Sequence, residues 1–142
     1  MSNTEELLNY VYKNSQMGVN TIEQLSGIVE DQEFKKHLDS QLGEYRQINE
    51  ESQKLLDRLG YEEEGVGALS EISAYMMINF KTLRDKSPSH IAEMMINGST
   101  MGIIQATRNL RKYKDEDKEF LALMEKLLKT EENNFQQLKK FL

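Results

Sequence analysis

Hydrophobic residues recur along most of the chain at alternating steps of three and four positions, the spacing of a helix that packs one side into a bundle. This pattern predicts four long helices, A to D, over about 4–30, 32–59, 88–113 and 116–141. A shorter amphipathic segment over about 67–85 predicts a crossover helix between helices B and C. We therefore expect an all-α fold in which residues 1–142 form a single helical bundle.

Residues at the predicted helix ends support these bounds. Gly60 lies just past helix B, where a glycine readily adopts the left-handed conformation that ends a helix. Ser87 or Ser89, next to the single proline at Pro88, is suited to begin helix C. The glutamate- and glycine-rich segment 61–67 is the clearest predicted loop.

Two short stretches occur twice, in the same order and at nearly the same spacing. Ser15–Val19 (SQMGV) is echoed by Ser99–Ile103 (STMGI), and Asp31–Phe34 (DQEF) is echoed by Asp117–Phe120 (DKEF). Such a pattern indicates one helical hairpin used twice. Two antiparallel hairpins packed face to face, and joined by the crossover helix, would form a four-helix bundle.

Several polar residues occupy positions that the pattern assigns to the interior. Glu131 and Asn134 interrupt the apolar stripe of helix D, and a buried carboxylate is costly unless it is paired, protonated or bound to a metal. The other core-facing polar positions are Ser15, Gln41 and Ser52. One interpretation is a buried polar network, in which Glu131 and Asn134 contact Gln41, Ser15 or Tyr45 and fix the helix register.

A metal site is the competing interpretation of the same residues. Di-iron and di-manganese bundles use a glutamate from each of two helices and a Glu-x-x-His pair from each of the other two. Glu131 and Asn134 have that spacing with asparagine in place of histidine, and Glu44 and Gln47 have it with glutamine. The two pairs fall at similar depths in their hairpins, so Glu44, Gln47, Glu131 and Asn134 are the candidate metal ligands.

Through the duplicated hairpin, the long connection between helices B and C, and these two pairs, the chain resembles the ferritin-like superfamily. It is most similar to small bacterial members with a helix inserted between the hairpins. The resemblance implies a metal-carboxylate ancestry, with iron, manganese or zinc as the possible metals. Members range from iron-oxidising or iron-storing proteins, through oxidoreductases, to proteins that have lost the metal. Weak or vestigial metal binding at the mid-bundle carboxylates is therefore expected.

This sequence departs from the ferritin-like pattern at several positions. Both expected histidines are missing, and helices A and C offer no glutamate at matching depth. Their nearest polar residues are Gln16, Asn20, Asn97 and Gln105, and amide oxygens are weak ligands for a transition metal. His90 and Glu93, three positions apart near the start of helix C, form an alternative metal pair, although an ion pair or a solvated helix start explains them as well.

Composition narrows the possible functions. The net charge of −6 and the isoelectric point near 5.0 argue against nucleic acid as a partner. The chain has no cysteine, its first residues do not have the pattern of a signal peptide, and no apolar stretch approaches the length of a membrane span. A cytoplasmic protein without a membrane partner is the resulting expectation.

Two other functions remain open from the sequence alone. The chain could be a non-catalytic interaction or structural bundle, as a homodimer. It could also bind a small hydrophobic ligand in a methionine-lined space between helices A and C, although methionines at helical spacing often serve only to fill a core. No arrangement typical of nucleophilic or phosphoryl-transfer catalysis is visible, and no catalytic residue is assigned.

Overall fold

The computed structural model describes residues 2–64, 71–81 and 83–142, and this part of the chain is all-helical. The α-helices are α1 (Asn3–Ser26), α2 (Gln32–Leu59), α3 (Glu71–Lys81), α4 (Pro88–Lys112) and α5 (Lys118–Leu138). A turn of 3-10 helix over Lys139–Phe141 follows α5. The predicted all-α class is thereby confirmed. None of the helices described is both long enough and apolar enough to cross a membrane.

Each long helix begins at a side chain that accepts a hydrogen bond from a free backbone N–H of the first turn. Ser2, Asp31, Ser87 and Asp117 serve as these N-caps for α1, α2, α4 and α5. Pro88 follows the Ser87 cap, in the first turn where its missing N–H costs no helical hydrogen bond. The helix starts are therefore determined by local sequence.

Two helices are shorter than the sequence predicts. Helix α1 ends at Ser26 instead of about residue 30, because the Gly27 N–H turns back to the carbonyls of Gln24 and Leu25 and closes the last turn. Helix α3 covers 71–81 of the predicted 67–85. Residues 83–87 are not helical, and the predicted helical residues 67–70 and 82 lie outside the described residues.

Helices α1 and α2 pack along most of their length, as do α4 and α5. Helix α2 also runs antiparallel to α5, since contacts move towards the start of α5 as they move towards the end of α2. The pairs in this order are Phe34 with Phe141, Tyr45 with Glu131, Glu51 with Lys126, and Arg58 with Glu119. Helix α3 packs against α4.

The core contains the polar positions that the pattern assigns to it. Ser15, Gln41, Ser52 and Asn134 are each exposed by 2 % or less. At the end of α2 the spacing of the apolar stripe predicts Leu55 and Leu59 in the core, whereas in the structure Leu56 is fully buried and Leu59 is 39 % exposed. The four-residue step from Ser52 brings Leu56 inward, and Leu59 lies in the last turn of the helix.

Candidate functional site

A cavity of about 50 Å³ lies between α1 and α4, and every one of the five α-helices contributes to its lining. We call it the central cavity. Its apolar lining residues are mainly Met17, Ile22, Ile72, Met76 and Met95. Its polar lining residues are Asn14, Thr21, Gln41, Tyr45, Ser99 and Glu131. A space of this size admits a few water molecules or the head of a small ligand, since about 10–15 Å³ is enough for one water.

The two repeated glycines place the polar side chains of the cavity. A Cβ atom on Gly18 would lie 2.8 Å from the Tyr45 ring, closer than real Cβ atoms come to their neighbours. A Cβ on Gly102 would lie 3.3 Å from Cδ of Glu131. Each glycine thus lets a side chain from the second helix of its hairpin lie directly against the backbone of the first. The repeated Ser-x-Met-Gly stretch therefore has a packing role in both hairpins.

A third glycine lets α3 approach the cavity. A Cβ on Gly98 of α4 would lie 3.2 Å from Sδ of Met76 on α3, a tighter contact than is usual. Met76 is 6 % exposed and Ile72, one turn earlier, is 4 % exposed. These two side chains of α3, which packs against α4, line the central cavity.

Glu131 is the carboxylate of the central cavity. Its Oε1 accepts a 2.7 Å hydrogen bond from the Tyr45 hydroxyl, and Ser99 of α4 also lines the cavity. Burial raises the pKa of Glu131 to about 7, and the hydroxyls of Tyr45 and Ser99 oppose that rise because they favour the charged form. Burial, followed by the charge of Glu131, raises the pKa of Tyr45 well above its usual value, so Tyr45 remains a donor.

Glu44 lies in a different place from Glu131. It lines a surface recess between α2 and α5 together with Lys126, Lys129 and Thr130, whereas Glu131 lines the central cavity. Burial raises the pKa of Glu44, and its Oε2 has no hydrogen-bond partner among the described residues. The neighbouring candidate, Gln47, is exposed.

Of the remaining predicted ligands, Asn134 lies one turn after Glu131 on α5, whereas His90 and Glu93 lie near the start of α4. Asn134 is buried, and its Nδ2 has no hydrogen-bond partner in the described part of the chain. Glu93 is exposed, and His90 is half-buried in the first turn of α4, where its backbone N–H donates to Oγ of Ser87 at 3.3 Å. Within residues 2–64, 71–81 and 83–142, no three His, Asp or Glu side chains come together as a metal site would require.

His37 is more buried than its lysine neighbours suggest. From sequence it is expected at the surface, but the structure packs its ring beside Phe34 and Phe141 at one end of the bundle. One ring nitrogen, Nε2, lies 2.7 Å from Nε2 of Gln41. Burial, and then the charge of Lys140, lower the pKa of His37. The 3-10 turn brings Phe141 back over this ring, a contact that helical periodicity does not predict.

Sequence reasoning names Tyr45 among three possible partners of Glu131, and the structure places Tyr45 in contact with it. It does not identify Ser99, Thr21, Met17 or Met76 as neighbours of the carboxylate's cavity. For Ser99 a signal exists, since it opens the repeated STMG stretch one turn before Gly102. For Met76 the sequence contains no such signal, because the packing of α3 against α4 is a tertiary feature.

Comparison with known proteins finds no matching family model, no matching curated protein and no matching solved structure.

Proposed function

We propose that this protein binds a small, mainly aliphatic molecule in the central cavity. The observation that carries the proposal is the cavity itself, whose lining combines methionine and isoleucine side chains with a hydrogen-bonded carboxylate. Ligand sites commonly combine an apolar lining with a few convergent polar groups and a residue of perturbed pKa. Glu131, with its pKa raised to about 7, is that residue here.

The cost of maintaining the cavity supports a role in binding. Gly18, Gly98 and Gly102 all lie inside helices, where each glycine costs about 1 kcal/mol relative to alanine. Burying Glu131 adds a further cost, because methionine or leucine would pack in its place without losing hydration. The glycines gain close helix packing in return, but Glu131 breaks a local stability rule without such a gain, and departures of this kind are typical of functional sites.

We also propose that the helical arrangement is ferritin-like, with α1–α2 and α4–α5 as the two hairpins and α3 as the inserted crossover helix. The repeated stretches support this, since Gly18 and Gly102 make corresponding contacts in the two hairpins. On this proposal the central cavity lies near the middle of the bundle, where metal-carboxylate relatives would hold their ions.

The residues present do not fit a di-metal centre. Such a centre needs several carboxylates and histidines that converge, whereas Glu44 and Glu131 line separate recesses and Gln47 is exposed. We therefore place iron, manganese or zinc binding second to small-ligand binding. Elemental analysis of protein purified without chelators, with Glu131→Gln as the comparison, tests the metal hypothesis.

Calorimetric titration tests the ligand proposal with two simple probes, 1-butanol and n-butylamine. The Thr21→Phe variant is designed to fill the cavity from α1, since Thr21 is half-buried in its lining. Thr100→Phe is the matched control, because Thr100 is exposed on α4 and is not part of the lining.

We expect saturable binding of at least one probe to the wild-type protein and to Thr100→Phe, and a loss of at least tenfold in affinity for Thr21→Phe. If neither probe binds the wild-type protein, or if Thr21→Phe binds as well as Thr100→Phe, the central cavity is not a ligand site.

A further inference from the structure

The charge around the central cavity is one-sided. Glu131 is the acid that lines it, and none of the lining residues that the structure describes is a lysine, arginine or histidine. The ion pairs found among the described residues use other carboxylates, those of Glu6, Glu23, Glu51, Glu64 and Glu119. Glu131 takes part in none of these ion pairs, and the hydrogen bond that it accepts comes from the neutral Tyr45 hydroxyl.

Glu131 still has acceptor capacity. A carboxylate offers two oxygens with about four lone-pair sites, and the Tyr45 hydroxyl accounts for one hydrogen bond, at Oε1. The remaining sites suit donors from a bound molecule. A donor that also carries a positive charge would make the strongest such bond, because charge-assisted hydrogen bonds are roughly twice as strong as neutral ones.

The other lining groups suit a cation with a short apolar body. Tyr45 lines the cavity together with Met17, Met76 and Met95. The thioethers of methionine are polarisable apolar surface. Asn14 and Thr21 add neutral polar atoms and no charge.

We infer that the central cavity takes an organic cation of the alkylammonium class, whose ammonium group donates to the free lone pairs of Glu131 and whose carbon chain lies against the methionines. This inference rests on the proposed ligand-binding function and names the chemical class of the ligand. A carboxylate ligand would be repelled by Glu131. A neutral alcohol would leave the buried carboxylate without a counter-charge.

Separate titrations with three probes of similar shape test the chemical class of the ligand. n-Butylamine, 1-butanol and butyrate have similar sizes and differ in head-group charge. At pH 8, above the Glu131 pKa of about 7, calorimetric titration should give at least tenfold tighter binding of n-butylamine than of 1-butanol, and no binding of butyrate. Glu131→Gln should reduce the preference for the amine to less than threefold while 1-butanol still binds.

Glu132→Gln is the matched control for Glu131→Gln. Glu132 is the next residue of α5 and is exposed, so its loss removes the same formal charge without changing the cavity. This control should keep the full preference for n-butylamine. If it loses the preference to the same extent as Glu131→Gln, general attraction by an acidic protein explains the selectivity and the inference fails.

The two proposals fail in different ways. If 1-butanol binds as tightly as n-butylamine, or more tightly, the cavity is a ligand site but the alkylammonium class is wrong. If butyrate binds best, the carboxylate does not control selectivity and the class is again wrong. If none of the three binds, the ligand-binding function itself fails.

Discussion

The hydroxyl of Tyr45 donates a 2.7 Å hydrogen bond to Glu131, and the two residues occupy the same position in the two halves of the chain. Asp31 and Asp117, which cap α2 and α5, lie 86 positions apart in sequence, as do Tyr45 and Glu131. Helix α2 therefore supplies a phenol, and α5 supplies a carboxylate at the equivalent position. The two side chains form a donor–acceptor pair where the helices meet.

Replacing Tyr45 by phenylalanine removes the hydroxyl and keeps the ring against Gly18. Because the lost hydrogen bond has a charged acceptor at high pH, we expect the free energy of unfolding at pH 8 to fall by about 1.5–3 kcal/mol. Denaturant titration measures this change. Tyr61→Phe is the control, since its hydroxyl accepts from Ser2 at an exposed site, and it should cost under about 0.5 kcal/mol. Equal losses in both variants would contradict the assignment.

The raised pKa of Glu131 makes stability depend on pH. Since the folded protein holds this proton with a pKa of about 7, against 4.5 in the ordinary carboxyl, the associated stability is complete below pH 4.5. It is lost progressively as the pH rises through 7. The free energy of unfolding of Glu131→Gln, relative to wild type, should therefore increase by about 3 kcal/mol between pH 4.5 and pH 8.

Denaturant titrations at a series of pH values measure this difference. The exposed Glu132→Gln variant should follow the wild-type curve across the range, because Glu132 does not line the cavity. A difference between wild type and Glu131→Gln that does not change with pH would show that Glu131 titrates as a solvated carboxyl.

Gly18 and Gly43 give opposite expectations for the same substitution. Alanine at Gly43 meets no atom within 4 Å, so Gly43→Ala should stabilise the protein by about 0.5–1 kcal/mol through helix propensity. Alanine at Gly18 meets the buried Tyr45 ring at 2.8 Å, so Gly18→Ala should destabilise it by roughly 1–3 kcal/mol. Thermal and denaturant unfolding of both variants decide this. Stabilisation by Gly18→Ala would mean that Tyr45 does not lie against α1.

Asn134 offers a test of the polar core. Its buried Nδ2 lacks a hydrogen-bond partner among the described residues, and an unsatisfied buried amide costs about 1–3 kcal/mol. We expect Asn134→Leu, which keeps the branched shape and the number of heavy atoms of the side chain, to raise the free energy of unfolding by about 1–2 kcal/mol. The exposed neighbour Asn133→Leu should change it by less than about 0.5 kcal/mol. A large loss of stability in Asn134→Leu alone would indicate that this amide is satisfied in solution.

Much of the fold is readable from sequence because local rules determine it. The spacing of apolar and polar residues identifies the helices. Serine and aspartate side chains cap the starts of the four long helices, and the backbone of a glycine closes the ends of α1 and α2. The end of α1 is less readable, because Ile28 and Val29 continue the hydrophobic pattern past Gly27 although the helix has closed. Apolar residues after a helix can bury themselves without being helical, and Val29 is 3 % exposed.

The site is only partly readable, and the reason is geometric. Glu131 interrupts an apolar stripe in the sequence, and in the structure it is half-buried and lines the central cavity. The sequence pattern predicts Glu44 as the second acid of the site, because the Glu-x-x-Asn and Glu-x-x-Gln spacings match. One residue along a helix is a rotation of about 100°, so Glu44 faces a different recess from Tyr45. Asp31 and Asp117, which cap α2 and α5, lie 86 residues apart, and counting 86 residues back from Glu131 gives Tyr45. The contribution of α3 to the lining of the cavity has no comparable sequence signal.

The most direct test of a ligand site in the central cavity is NMR of protein labelled with ¹³C at the methionine methyl groups, titrated with 1-butanol and with n-butylamine. Met17, Met76 and Met95 line the cavity, whereas Met77 is 47 % exposed on α3 and Met124 is fully buried on α5 outside the lining. If the central cavity binds a ligand, we expect saturable shifts at the three lining methyl groups, with little change at Met77 and Met124. Shifts at Met77 alone, or no saturable shift at Met17, Met76 and Met95 with either probe, would contradict it.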